Sequence, residues 1–169
     1  MPDSFEDFAR ARTGVLLRYA TALTCDPHQA QDVVQNVLLR AQQRWASISR
    51  LEAPVAYVNR MVTNEFLSWR RRRAASDVMV PHGGMEGLSP PLADPTPAVD
   101  ERQAVFSGIA RLPRKQRAAI VLRYYANQTF AEIADELGCS EATARSHVSR
   151  ALAALRADAA RLDHVMETL

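Results

Sequence analysis

Cysteine is almost absent from this chain, and the two present cannot build a site. Cys25 and Cys139 each lack a second cysteine or a histidine at metal-ligand spacing, so neither a disulfide framework nor a structural zinc centre is expected, and both thiols read as packing residues. His28, His82, His147 and His164 form no catalytic or metal pattern, and there is no nucleophile–base pair or phosphate-cradling glycine loop. Nor do the acids cluster as a metal-dependent nuclease would require. No catalytic residue, cofactor or metal is therefore assigned, and the chain reads as a non-enzyme. Apolar runs are only a few residues long and broken by charge, and Met1-Pro2-Asp3-Ser4 does not begin a basic-then-apolar leader. Neither a membrane span nor a secretion signal is expected, which points to a cytoplasmic protein. Strands are missing too, since no segment alternates apolar and polar residues.

What is present is an ordinary globular composition, 47% apolar over 169 residues, with a net charge of +2 that hides a segregation. Residues 1–73 carry 11 basic groups against 7 acids, residues 74–100 none against 4, and residues 101–169 carry 10 against 8. Two basic bodies flank an acidic connector, a distribution suited to polyanion binding through a phosphate backbone. Lys115 is the sole lysine among 21 basic residues, an arginine bias that reflects coding composition and carries no functional weight.

The connector holds Pro81, Pro90, Pro91, Pro95 and Pro97 with Gly83, Gly84 and Gly87. That mixture prevents regular helix and cannot bury a core, so 74–100 is expected to be an extended, mobile linker between domains 1–73 and 101–169. Both domains are expected to be all-α. Phe5, Phe8, Val15, Leu16, Tyr19 and Leu23 keep near-helical intervals. Asp26-Pro27 then supplies an N-cap with proline at the first helical position. The second helix turns Ala30, Val33, Val34, Val37, Leu38, Ala41 and Trp45 inward, and a third from Pro54 buries Val58, Met61, Val62, Phe66 and Trp69 before Arg70-Arg71-Arg72-Arg73.

The most informative stretch is 129–155. Thr129-Phe130-Ala131-Glu132 is a capping box, Ile133, Ala134 and Leu137 follow at helical spacing, and Gly138 stands where a positive φ ends the helix. Ser140 then caps a helix with Ala144, Val148, Ala151, Leu152 and Leu155 inside and Thr143, Arg145, Ser146, Ser149 and Arg150 outside. A small residue at the crossing, a glycine turn and an outer face of short hydrogen-bonding groups with two arginines describe a helix-turn-helix with its recognition helix.

With the preceding 112–125 stretch, Leu112-Pro113-Arg114-Lys115-Gln116-Arg117 onward, these motifs resemble region 4 of the extracytoplasmic-function sigma factors of bacterial RNA polymerase. Gln31-Asp32-Val33-Val34-Gln35-Asn36-Val37-Leu38-Leu39-Arg40-Ala41 resembles region 2.2 of the same family, and Pro54 to Arg73, with Tyr57, Arg60 and Asn64, resembles regions 2.3 and 2.4. Two motif sets in family order cover most of the chain, and Arg44-Trp45 with Pro54-Val55-Ala56-Tyr57-Val58 is most similar to an actinobacterial subgroup. The sequence departs from the family at Asn36, where glutamate is usual, at Ala142-Thr143-Ala144 in place of glycine-threonine-valine, and at His147, often a basic residue.

The resemblance implies a sigma factor that binds core RNA polymerase and recognises the −35 and −10 promoter elements. Asp32, Gln35, Asn36 and Arg40, with Val33 or Leu39 as apolar area, would dock on the β′ clamp helices. Asn59, Arg60, Thr63 and Asn64, with the loop Ala46 to Ala53, would capture an unstacked base of the −10 element. Arg70, Arg71, Arg72 and Arg73 would grip phosphates near the upstream fork. Thr143, Arg145, Ser146, Ser149 and Arg150 would read the −35 duplex. Arg114, Lys115, Arg117 and Arg123 would meet upstream DNA backbone or the β flap, whereas Phe106, Ile120, Val121 and Tyr124 read as core. The linker would thread the polymerase active-site cleft, and an anti-sigma factor is a partner the family allows. The alternative is a stand-alone regulator that binds an operator without polymerase.

Overall fold

Ser4 opens the first helix by local chemistry: its Oγ accepts the Asp7 N–H at 3.1 Å, and Glu6 and Asp7 place negative charge in the first turn, where the helix dipole favours it. This helix, α1 (Phe5–Thr24), ends at Cys25, whose φ of 54° is left-handed and whose N–H donates to the Thr21 carbonyl. The chain restarts at once. Asp26 Oδ1 accepts the His28 and Gln29 N–H groups at 2.9 and 3.3 Å, and Pro27 is the first residue of α2 (Pro27–Gln43), so the expected cap and proline are both in place. A four-residue helix, α3 (Trp45–Ile48), and then α4 (Pro54–Ala75) follow.

The computed structural model describes residues 4–75 and 105–168, with side chains described over 4–68 and 105–160. The described helices fall into two compact units, α1 to α4 and the four C-terminal helices. In the first unit α1 packs on α2 and on α4, and α2 packs on α4. Phe8, Leu16 and Leu23 of α1 meet Val33, Val34 and Val37 of α2 and Val58, Val62 and Phe66 of α4 in a core with almost no exposure. Each such side chain contributes about 1.5–3 kcal/mol by leaving water. The Trp45 ring lies 5.6 Å from Phe5 and 4.7 Å from Phe8, which fixes α3 against the first turns of α1.

Two expectations about this unit need correction. The loop 46–53 is partly helical, because α3 occupies its first residues, so the helix at Pro54 is the fourth element. Helix α4 also runs through Arg70 to Arg73 as far as Ala75, two residues beyond the expected limit of the domain at 73. The arginine side chains, and the rest of the expected linker from residue 76, lie outside the described residues.

The second unit comprises α5 (105–111), α6 (Arg114–Tyr124), α7 (Phe130–Leu137) and α8 (Glu141–Thr168). Helices α6 and α7 pack on each other and both on α8, around Ala118, Val121, Leu122, Ile133, Leu137, Ala144, Val148 and Ala151. Gly108 of α5 lies so close to α8 that a Cβ there would sit 2.8 Å from a Leu155 methyl. Ile120 and Val121 are buried as expected, but Phe106 and Tyr124 are not core: Tyr124 is 63% exposed and Phe106 40%.

Candidate nucleic-acid interface

Helix α7 and the turn that leads from it into α8 are fixed by residues acting on neighbouring backbone. Thr129 Oγ1 accepts the Glu132 N–H at 3.3 Å, and the Glu132 carboxylate accepts the Thr129 N–H at 2.7 Å and its hydroxyl at 2.8 Å. These bonds hold the Glu132 carboxyl below the usual carboxylate range, the backbone N–H contributing most. At the other end Gly138 adopts φ 62°, and the Cys139 N–H reaches back to Ala134 at 3.0 Å, closing a Schellman turn. Ser140 Oγ then accepts the Thr143 N–H at 3.2 Å and starts α8.

The outer face of α8 presents Thr143, Arg145, Ser149 and Arg150 exposed, with Ser146 half-buried. Thr143 is engaged at the cap, its hydroxyl 2.8 Å from that of Ser140. Arg145 is held on two sides. Its Nη2 donates to Glu141 at 2.7 Å, and its guanidinium lies 4.8 Å from the centre of the Phe130 ring, which Arg123 approaches at 4.9 Å. A phenyl ring thus carries two cations, each attracted to its π density. Sequence reasoning placed Phe130 in a capping box and missed this contact.

Two basic residues of α6 have local partners. Arg117 donates to the carbonyls of Ala110 and Leu112 and so caps the C-terminal end of α5, and Arg123 donates to the Gln128 carbonyl at 2.8 Å. Each guanidinium thus supplies a donor to an orphan carbonyl at a helix or turn end. Lys115 stays exposed.

In the first unit, Asn64 is exposed and Asn59 and Arg60 half-buried on α4. Thr63 is not a surface residue. It is fully buried, its hydroxyl 2.7 Å from that of Tyr19 on α1, so it cannot touch an unstacked base. Asp32, Gln35, Asn36 and Arg40 are exposed along α2, and Leu39 is 53% exposed. Val33 is instead at zero exposure in the core and offers no docking area.

The same face contains a residue that the sequence reading did not single out. Glu65 of α4 is 1% exposed, and its carboxylate takes the Arg40 guanidinium in an ion pair and lies 3.5 Å from the Asn36 amide nitrogen. Its signal was the spacing, three residues after Val62 and seven after Val58 on the buried side of α4. A lone acid is ordinarily assigned to solvent, which hid it.

Residues 7–76 match the family described as Sigma-70 region 2, and residues 102–155 match Sigma-70, region 4. The chain is 35% identical over 153 residues to the RNA polymerase sigma-E factor of Streptomyces coelicolor, covering 90% of this chain and 84% of that protein. It is likewise 35% identical over 145 residues to the ECF RNA polymerase sigma factor SigL of Mycobacterium tuberculosis, covering 84% and 81%. A solved structure of the sigma factor RpoE from Bartonella quintana, in complex with the anti-sigma factor NepR, shares the fold with a TM-score of 0.67 at 23% identity, covering 91% of this chain and 95% of that one. The first two relatives are named as RNA polymerase sigma factors, so the alternative reading as a stand-alone regulator is set aside. The chain belongs to the extracytoplasmic-function group of the sigma-70 family of RNA polymerase sigma factors.

Proposed function

We propose that this sigma factor carries core RNA polymerase to its promoters with a division of labour between the two units. The outer face of α8, through Arg145, Ser146, Ser149 and Arg150, reads the −35 duplex. Asn59, Arg60 and Asn64 on α4, with the segment 46–53, receive a base released from the −10 element, and the arginines at 70–73 hold phosphate at the upstream fork. Asp32, Gln35, Asn36, Leu39 and Arg40 on α2 form the face toward the polymerase clamp. Residues 76–100, the rest of the expected linker, tether the two readers. The observation that carries this reading is the pairing, in one chain, of a helix-turn-helix whose recognition face is polar and arginine-bearing with a separate four-helix body that presents a polar strip on α2.

The assignment needs no catalytic residue, since polymerase supplies the chemistry. It places the protein where polymerase is, in the cytoplasm, and among the described residues no helix is long and apolar enough to cross a membrane. The solved relative held by an anti-sigma factor supports a sequestering partner of that class. In-vitro transcription with purified core polymerase is the test: promoter-dependent initiation should require this chain. Tight, sequence-specific duplex binding by the chain alone, with no gain from polymerase, would overturn it.

A further inference from the structure

Position 65 of α4 belongs to the core by its surroundings and not by its side chain. Val58, Val62 and Phe66 are buried on that helix, and Glu65 is as enclosed as they are. Well-packed apolar groups of similar volume commonly replace a buried ion pair with no loss of stability. The fold alone therefore gives no reason for a carboxylate at this place. What the carboxylate meets supplies one. Its partners include Arg40, whose Nη2 pairs with it, and Asn36, whose amide nitrogen lies 3.5 Å away. These two residues stand one turn apart on α2, and both are exposed. Arg40 is held a second time, because its Nε donates to the Asn36 carbonyl at 3.3 Å. Two contacts through different nitrogens fix the plane of a guanidinium, and the Nη1 hydrogens stay available to a partner on a side chain that is 45% exposed.

We propose that Glu65 is a positioning residue for polymerase docking: from the core side of α2 its carboxylate sets the directions of Arg40 and Asn36 before the clamp arrives. The proposal rests on the reading of α2 as the face toward polymerase. An arginine on an open helix face samples many rotamers, and ordering so long a side chain on association costs affinity. In this chain the ordering takes place when α2 packs on α4 during folding. The carboxylate also compensates the Arg40 charge, so the side chain meets its partner as a hydrogen-bond donor of fixed aim and not as a free cation. A face built in this way distinguishes partners by where their acceptors lie, and not by charge alone. Neither effect requires Glu65 to touch polymerase, since it acts through the two residues it holds.

The test takes the full chain and purified core polymerase, and compares the natural protein with Glu65→Leu and Glu65→Gln at a temperature where every variant is folded. Three quantities are measured: affinity for core polymerase, melting temperature, and the NMR signal of the Arg40 Nε–H in the free chain. In the natural chain that signal should exchange slowly with solvent. Glu65→Leu fills the volume and releases an arginine that already reaches water, so it should melt close to the natural chain. Its Arg40 signal should exchange fast, and its affinity for polymerase should fall roughly two- to tenfold, the effect of ordering one such side chain on binding. Glu65→Gln keeps an acceptor oxygen at the same reach and should retain part of both. In a chain that carries Arg40→Ala and Asn36→Ala, adding Glu65→Leu should change affinity no further, because nothing is left to position. Unchanged affinity of Glu65→Leu overturns the role, and so does a loss that persists in that double-alanine chain. Should Glu65→Leu fail to fold, Glu65→Gln decides instead: the role stands if the Arg40 signal and the affinity fall together, and is overturned otherwise. Asp32→Ala and Leu39→Ala, on the same strip, keep the two readings apart. If they weaken polymerase binding and Glu65→Leu does not, only the positioning role falls. If none of the three does, the reading of α2 falls with it.

Discussion

The guanidinium of Arg40 on α2 is held by the buried carboxylate of Glu65 on α4, so a residue of the strip proposed to face polymerase is anchored to the helix proposed to open the promoter. Arg40 itself is 45% exposed, and water screens part of the attraction, whereas Glu65 has no such relief. Removing the cation should therefore cost more than an exposed surface pair would. Arg40→Ala is expected to destabilise the chain by about 1–3 kcal/mol, read as a lowered melting temperature. Glu65→Gln, whose amide can still bond, should cost less. An Arg40→Ala protein with unchanged melting would show that the pair contributes nothing to the fold, and any loss of polymerase binding would then be a direct contact.

Thr63 and Asn64 are neighbours in sequence with opposite surroundings, and their variants should separate folding from opening. Thr63→Val removes a hydroxyl paired with Tyr19 inside the core and should cost about 0.5–1.5 kcal/mol of stability without a specific opening defect. Asn64→Ala lies on the surface and should change stability by less than about 0.5 kcal/mol. It should instead reduce permanganate reactivity of the promoter bubble, with a pre-melted template restoring transcription. The assignment of Asn64 is lost if pre-melting rescues nothing, or if Thr63→Val shows the same rescue at unchanged stability.

These two residues also mark the boundary of what the sequence made legible. Caps and turns were readable because their chemistry is local: Asp26-Pro27, the Thr129–Glu132 box and Gly138 each act within a few residues, and each stands where expected. Asn59 and Thr63, four residues apart, lie on one side of α4, the Thr63 hydroxyl 3.4 Å from the Asn59 carbonyl. Whether Thr63 is inward depends on Tyr19, 44 residues earlier, and no periodicity contains that partner. Val33 shows a related error, since it was read both as core and as docking area, and packing decided for the core. Helix α3 has too few residues for a period, and its position follows from Trp45 meeting Phe5 and Phe8 of α1. Arg117 and Arg123 read as free cations because the carbonyls they bond become neighbours only after the chain turns.

The capping box gives an acid dependence whose direction follows from the bonds. Glu132 is held below the ordinary carboxylate range, chiefly by the Thr129 N–H and then by its hydroxyl. Its ionised form is thus favoured in the folded state, and its contribution is present above the unfolded-state pKa and lost as pH falls through the lower folded value. Urea unfolding followed from neutral to acid pH should show a shallower loss for Glu132→Gln than for the natural chain. Thr129→Ala removes the reciprocal bond and should cost about 1 kcal/mol near neutrality. Equal acid slopes for Glu132→Gln and the natural chain would contradict the assignment.

His147 should act in a different window. Its folded-state pKa lies below the ordinary histidine value, through burial and then the Lys115 and Arg150 charges, so the unfolded chain binds the proton more readily. The contribution of neutral His147 is present above the unfolded-state pKa, about 6.5, and is lost as pH falls from there through the folded value. In the absence of DNA, mild acidification should weaken the natural chain more than His147→Gln, before carboxylates begin to titrate. Denaturant midpoints for the two proteins taken between about pH 7.5 and about pH 5.5 measure the difference, and parallel curves would mean that the imidazole is not desolvated.

Arg145 is the side chain on which promoter discrimination should depend most, because Phe130 and Glu141 fix its direction before DNA arrives. A preordered guanidinium loses little freedom when it meets a base edge, so its bonds count more fully toward discrimination. Arg145→Ala should lose about 1–3 kcal/mol of discrimination at one base pair of the upstream element. Phe130→Leu keeps an apolar side chain at the position but removes the π surface under both Arg145 and Arg123, and should lose about 0.5–1 kcal/mol, roughly two- to fivefold, at that same base pair. Glu141→Gln should behave similarly. The measurement is the ratio of holoenzyme affinities for the upstream element and for its single-base-pair variants, with the melting temperature of each protein taken alongside. A Phe130→Leu effect that weakens all sequences equally would mean that the ring only supports α7, and Arg145 would then have to be treated as a phosphate contact without a part in sequence choice.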